Sequence, residues 1–399
     1  MNNTDFLIIG AGIIGLAIAK NLKRRYPEAK ITILEKEPDV AYHSSGRNSG
    51  VLHSGFYYSA DSLKAKFCRV GNQLMKEYCK EHKLKLNECQ KVVVAKNESE
   101  VVSIFELEKR GKKNGVEVSV IDEKQLADFE PNAKTYQYAL HSPNTATVDP
   151  TEVNQCIKNE LISNGVIINF NEPYLKRIEE NIIQTVHGNI YQAGIIINSA
   201  GLYADKIANQ FGFSDKYTII PFKGIYLKYT LEDKPVRTNI YPVPNLKNPW
   251  LGVHFTVTVD NIIKIGPNAT PAFWRENYKG FDNFKGNESF NILTWEASLF
   301  LTNAFHFRSI AIDEIKKYNR HYFVGLASQL VKNINPKGFT DWTKPGIRAQ
   351  LLNKKTKELV QDFVIEGDKK SIHVLNAVSP AFTSAFPFAE WILDNYLPK

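Results

Sequence analysis

Asp5-Phe-Leu-Ile-Ile-Gly10-Ala-Gly12-Ile-Ile-Gly15, followed by Leu16 to Arg25 and then Ile31-Thr-Ile-Leu-Glu35, is the stretch that decides the fold. Phe6 to Ile9 is continuously apolar and stops at glycine, which predicts a buried strand. Leu16 to Arg25 carries apolar residues at helical spacing, so the glycines fall at a strand-to-helix turn. In a G-x-G-x-x-G spacing Gly10 permits the tight turn and Gly12 lets backbone approach a pyrophosphate. Gly15 lets helix and strand pack closely. The helix N-terminus then directs free N–H groups at that phosphate. Small residues at such a turn also serve packing alone. Glu35 adds a second signal, because it ends the next strand about 20 residues past the last glycine, where a carboxylate takes ribose hydroxyls. A carboxylate there also repels a 2′-phosphate, which points to NAD or FAD rather than NADP. The glycines do not choose between those two.

The next segment, Val40 to Tyr58, crowds Ser44, Ser45, Gly46, Asn48, Ser49, Gly50, His53, Ser54 and Gly55 together with few charges. Such density suits a backbone that approaches a flat ligand closely and offers it N–H and hydroxyl groups. A simple NAD half-fold would pass directly into another helix and strand, so this loop favours a flavin.

Composition sets the bounds. At 399 residues with 43% hydrophobic content the chain is long enough for two domains and a large core. Its four cysteines show no C-x-x-C spacing and read as reduced thiols, with neither a disulfide framework nor a metal site implied. The net charge of +8 is carried by lysines intermixed with glutamates, a solvated basic surface rather than a nucleic-acid track. The nucleotide fold starts at Asp5, which leaves no room for a leader peptide, and no apolar run of roughly 18 residues predicts a transmembrane helix. A cytoplasmic protein, or one held peripherally at the inner face of a membrane, is expected.

Gly-Arg-Asn-Ser-Gly-Val-Leu-His-Ser-Gly-Phe-Tyr-Tyr (46–58) and Ser-Leu-Lys-Ala-Lys-Phe-Cys (62–68) closely resemble the signature of the L-2-hydroxyglutarate dehydrogenases/oxidases, FAD enzymes of the D-amino-acid-oxidase-like group. The resemblance continues through 198–205, 221–224, 239–244, 251–255, 265–268, 346–350 and 376–380, and so covers the chain in order. It implies an α/β (α+β overall) architecture, with a Rossmann-like FAD-binding domain into which a mostly antiparallel β-sheet substrate domain is inserted. The expected domains are 1–75, 141–212 and 339–399 for FAD, and 76–140 and 213–338 for substrate.

The expected elements are helices at Leu63 to about Glu81, Glu100–Asn114, Thr151–Ser163, Ser289–Phe305 and Ile310–Tyr318. A hairpin turns at His187-Gly188-Asn189, and alternation in Gly224–Tyr229 and Trp250–Val257 predicts antiparallel strands. Lys332 to Thr340 reads as a linker. Pro387 lies inside a C-terminal helix and predicts a kink.

The cofactor set carried by motif and resemblance is Gly10, Gly12, Ile14, Gly15, Glu35, Lys36, Ser44, Ser45, Asn48, Ser49, Gly50, Ala200, Gly201, Gly346, Ser379, Pro380 and Ala381. Leu175 matches a strand position that passes the adenine. The helix opening at Ser379-Pro380-Ala381 is expected to face the flavin pyrimidine, where its dipole stabilises negative charge.

Oxidising a 2-hydroxy acid needs a hydride acceptor, a cation for the α-carboxylate and a base for the hydroxyl proton. The resemblance puts Arg348 at the carboxylate, a task that suits a planar guanidinium. His53, among the close-approach glycines, is the favoured base, with His254 competing. Tyr241 could close the pocket and Lys64 could meet the distal carboxylate of a 2-hydroxy diacid. The electron acceptor, whether oxygen, a quinone or an electron-transfer protein, is not encoded in any motif. An FAD-dependent amine or amino-acid oxidase of the glycine/D-amino-acid type, and a non-catalytic flavin-binding protein, are the alternatives. A nicotinamide dehydrogenase stands behind both.

Overall fold

The computed structural model describes residues 1–244 and 251–397; Trp250, assigned above to a strand, lies outside the described residues. Strand Asn2–Ile9 runs parallel to Ile31–Leu34 on one side and to Ile190–Asn198 on the other. Strand Ser371–Asn376 then continues the parallel order beyond Ile190–Asn198, within an eight-stranded sheet. Its central strands are buried on both faces, which is why they read as unbroken apolar runs. Helices Ile13–Arg25, Leu63–Glu81, Pro150–Ser163 and Ala381–Tyr396 supply the main core, with Leu16, Ile18, Ile33, Met75, Ile157, Phe388 and Ile392 almost inaccessible to water.

A second eight-stranded sheet carries the strand order Phe339–Trp342, Leu227–Tyr229, Ile263–Gly266, His254–Val257, Asn239–Pro242, Lys91–Val94, Tyr138–Ser142 and Ser119–Asp122. Every pairing in it is antiparallel except Asn239–Pro242 with Lys91–Val94. Strands Tyr217–Gly224 and Gly346–Asn353 form a separate three-stranded sheet with Thr270–Pro271, pairing antiparallel from Tyr217 opposite Asn353 to Gly224 opposite Gly346. The run Gly224–Tyr229 is therefore split between two sheets, and the bend at Ile225 and Tyr226 turns the chain along the cleft wall.

The linker expectation is corrected, one helix is added, and the C-terminal helix is continuous. Lys332 to Thr340 is no free linker, because Phe339 enters the edge strand Phe339–Trp342. A helix at Arg320–Ser328, capped by the Asn319 side chain, adds to the expected set. The C-terminal helix runs unbroken from Ala381 to Tyr396 through Pro387. Proline there removes the bond to the Thr383 carbonyl, but packing holds the helix: Phe388 is fully buried and stacks on Phe363 at 4.4 Å. Among the described residues no helix is long and apolar enough to cross a membrane.

Candidate active site

A cavity of about 1100 Å³ runs from the glycine turn to the second sheet. That volume exceeds the usual range for a small ligand and suits a dinucleotide together with a small substrate.

At the nucleotide end, Gly10 has φ +103°, a conformation open to glycine, and a Cβ there would lie 2.8 Å from the Ser199 carbonyl oxygen. Ser199 Oγ donates to the carbonyls of Ile9 (3.1 Å) and Gly10 (3.0 Å), which locks the two strand-end junctions together. Gly12 is the N-cap of helix Ile13–Arg25, and the Ser45 hydroxyl accepts a 2.9 Å bond from the Ile13 N–H. The serine thus rests where the helix N-terminus attracts an anion. Glu35 is buried and accepts from the N–H groups of Ala11 (2.8 Å) and Glu37 (3.0 Å), fixing its carboxylate beside the turn. Gly201 has φ +52°, and a Cβ placed on it would meet no heavy atom within 4 Å, so the space beside it is open.

The 44–50 loop is stitched in place by its own side chains. Asn48 Nδ2 donates to the Ser44 and Ser45 carbonyls, and Ser44 Oγ donates to the Ile347 carbonyl at 2.8 Å. That last bond ties the loop to the strand bearing Arg348. Ile14, Lys36, Ser49, Leu175, Ala200, Gly346, Ser379, Pro380 and Ala381 all line the same cavity, as do Gly10, Gly12, Glu35, Ser44, Ser45, Asn48 and Gly201. Gly15 and Gly50 do not, and Gly15 has the close-packing role that its place in the glycine spacing predicts. A Cβ on Gly15 would lie 2.1 Å from the Gly10 carbonyl oxygen, and one on Gly50 2.4 Å from that of Val148. Both are close-packing positions.

At the other end the cavity brings together His53, Lys64, Tyr241, His254 and Arg348. The His53 N–H donates to Thr383 Oγ1 at 3.1 Å, in the first turn of the C-terminal helix, and its carbonyl accepts from Asn72 Nδ2 at 3.2 Å. Its Nδ1 is buried with no hydrogen-bond partner among the described residues. Burial, followed by the charges of Lys91 and His254, holds its proton affinity well below the usual histidine range. His254 is also buried; its Nδ1–H donates to the Gly252 carbonyl at 2.8 Å, so the neutral ring keeps its lone pair on Nε2. Burial is the main reason that its pKa falls to about 3. Tyr241 stacks on that imidazole with centroids 3.7 Å apart. Arg348 Nη1 donates to the Asn268 carbonyl at 3.3 Å, its single side-chain bond among the described residues, which leaves guanidinium donors for a ligand. Burial brings the Lys64 ammonium down to about 8.

Reading the sequence missed several neighbours. Tyr226 lines the cavity, with the Lys264 ammonium 4.9 Å above its ring, and Lys91 lies fully buried behind Tyr241. Period-two alternation on the second sheet was the available signal. Glu37, His43 and Glu276 converge within 4.8 Å. The Lys36 ammonium already bridges the two carboxylates, at 2.5 and 2.7 Å, so the cluster is an ion-pair network.

The cradle fits FAD by its own geometry: a left-handed Gly10, open space at Gly201, a helix N-terminus at the turn, and a buried unpaired Nδ1 on His53 at the far end. Fold and site together define a flavin-dependent oxidoreductase, and the family described as FAD dependent oxidoreductase matches residues 5–394. Within that class the chain belongs to the L-2-hydroxyglutarate dehydrogenase family. It is 36% identical over 402 residues to the L-2-hydroxyglutarate dehydrogenase of Indibacter alkaliphilus, covering 98% of this chain and 99% of that one. It is 34% identical over 414 residues to the mitochondrial enzyme of Homo sapiens, covering 98% and 88%. Among solved structures, L-alpha-glycerophosphate oxidase from Mycoplasma pneumoniae with FAD bound superimposes with a TM-score of 0.77 at 20% identity, over 98% of this chain and 94% of that one. Glycine oxidase from Geobacillus kaustophilus gives 0.71 at 16%, over 99% and 94%. Those two likenesses concern the fold.

Proposed function

We propose that this protein oxidises L-2-hydroxyglutarate to 2-oxoglutarate with FAD as the oxidant. The observation that carries the reading is the convergence of His53, His254, Arg348 and Lys64 on one cavity, in a chain related along its length to L-2-hydroxyglutarate dehydrogenases. FAD, held by the glycine turn, Glu35, the 44–49 loop, Ala200, Gly201 and the start of the C-terminal helix, supplies a two-electron acceptor for the hydride from Cα.

Arg348 clamps the C1 carboxylate, because a guanidinium presents paired donors to it. Lys64, which lines the same cavity, meets the distal carboxylate. His53 takes the hydroxyl proton, and its neutral state at physiological pH follows from its burial. His254, with its Nδ1–H held by Gly252, presents an Nε2 lone pair as the competing acceptor for that proton, and Tyr241 fixes the plane of its imidazole. The division into two domains belongs to this proposal; the two large sheets follow it except at Phe339–Trp342 and at the end of Tyr138–Ser142, which belong to the second sheet.

For the electron acceptor, exposed Phe281, between Lys279 and Lys285 in the chain, and exposed Phe290 and Leu301 on helix Gly286–Thr302 favour a membrane quinone over oxygen or an electron-transfer protein. The protein would then be cytoplasmic and peripheral at the inner membrane face. A dye-coupled turnover panel of L-2-hydroxyglutarate, its D-enantiomer, glycine and D-alanine tests the reading. Turnover confined to L-2-hydroxyglutarate is expected; preference for an amine would move the protein to the amine-oxidase alternative.

A further inference from the structure

Lys91 is completely inaccessible, and its Nζ has no hydrogen-bond partner among the described residues. Instead it sits over three aromatic rings, those of Tyr241 at 4.1 Å, Tyr57 at 5.4 Å and Phe56 at 5.8 Å. Isolating an ammonium in this way is costly, and ring faces offset only part of the loss. A residue kept there despite the cost is a candidate for a role at the adjoining site.

Sheet topology gives that role its geometry. Strand Asn239–Pro242 lies between Lys91–Val94 and His254–Val257. Asn239 faces Lys91 and Tyr241 faces Val93 in the parallel pair, and Ile240 faces Phe255 in the antiparallel pair. Side chains alternate along strands, so Lys91, Tyr241 and His254 rise from one face of the sheet. Lys91 and His254 therefore flank the Tyr241 ring from opposite sides, the ammonium at 4.1 Å and the imidazole at 3.7 Å. The active-site reading assigns no task to Lys91.

We propose that Lys91 is a positioning residue of the oxidation centre: its side chain, over the Tyr241 ring, fixes the Tyr241–His254 stack and so the direction in which the imidazole faces the site. The proposal rests on the active-site reading above. From its place over the ring Lys91 also lowers the proton affinity of His53 and His254, after the larger effect of their burial, so a pH profile reads its presence.

The groups facing this cluster come from every element around it. Cys68 and Lys64 come from helix Leu63–Glu81, Cys89 from the turn before Lys91, and Tyr57 and Tyr58 from the segment after His53. From the far side come Tyr226, Lys264 and Arg348. Among the described residues no carboxylate acts on Lys91: the two groups that do are Cys68 and Cys89, and burial of the lysine outweighs both and brings it to about 7.

The test compares the flavin-loaded wild type with Lys91→Met and Lys91→Arg. Lys91→Met is expected to lower kcat about 10-fold with KM within about two-fold, and to raise the acid limb of the kcat/KM–pH profile by about half a unit or more. Lys91→Arg keeps the charge and is expected to retain the wild-type acid limb. Coincident acid limbs in wild type and Lys91→Met would overturn the proposal, as would a Lys91→Arg profile that follows Lys91→Met. If Lys91→Met does not fold, Lys91→Arg decides alone, and an upward shift of its acid limb counts against the idea. An imidazole titration by ¹⁵N NMR needs no substrate, so it judges Lys91 even if L-2-hydroxyglutarate proves not to be oxidised. There too, an unchanged His53 and His254 titration in Lys91→Met is the contrary result.

Discussion

The backbone N–H of His53 donates to the Thr383 hydroxyl at 3.1 Å, across 330 residues of sequence. The favoured base and the first turn of the C-terminal helix are thus one unit, and that helix start also lines the cavity. Thr383→Val keeps the shape and removes the acceptor. One ordinary hydrogen bond is worth about 1 kcal/mol, so kcat should fall roughly 5-fold with flavin content unchanged. Thermal melting and steady-state kinetics of the same preparation separate this from general unfolding.

Arg348 carries the prediction on substrate binding. Arg348→Ala removes a charge-assisted carboxylate contact of about 3 kcal/mol, equivalent to a loss of about 100-fold in kcat/KM, mainly through KM. Arg348→Lys should recover little of it, because a single ammonium cannot reproduce paired donors. Titration of the flavin spectrum with a non-reacting dicarboxylate reads the binding directly.

Glu35 anchors the ribose end. Its two carboxylate oxygens accept separately from Ala11 and Glu37, and an amide keeps only one acceptor, so Glu35→Gln also loses one of the bonds that hold the turn. Loss of a charged acceptor weakens FAD by about 10-fold, measurable as flavin released on desalting.

Stability should fall on the acid side. Burial lowers the folded-state pKa of His254 to about 3 and of His373 to about 4, and His53 moves in the same direction. Unfolded histidines titrate near 6.5. Between these limits the unfolded chain binds more protons than the native one, so stability is complete above about pH 6.5 and declines as pH falls, by up to about 1.4 kcal/mol per unit for each histidine. Denaturant midpoints at pH 7 and pH 5.5, before most carboxylates protonate, check this. His373→Gln should flatten the slope.

The nucleotide half was legible because local chemistry dictated it. Gly10 and Gly12 answer to a turn and a close approach, and Phe6 to Ile9 is apolar because both faces of its strand are covered. Gly15 packs against the Gly10 carbonyl as its spacing predicts, whereas Gly50 carried the same small-residue signal for a different reason, contact with the Val148 carbonyl, which no spacing rule separates from ligand contact. The helix Arg320–Ser328 was obscured by Gly325 and by aromatic and β-branched residues of low helix propensity, although Asn319 and the buried Phe323, Val324 and Ala327 mark it. Lys91 opens the buried strand Lys91–Val94 and belongs to no motif. Only the order of strands, which pairing between distant segments decides, turns it toward Tyr241.

The central claim is tested most directly by mixing flavin-loaded protein with L-2-hydroxyglutarate without oxygen and following absorbance at about 450 nm, where oxidised flavin absorbs. The predicted result is full bleaching with one 2-oxoglutarate formed per flavin, absent with the D-enantiomer and slowed about 100-fold or more by His53→Ala. A yellow protein that stays yellow with L-2-hydroxyglutarate would contradict it.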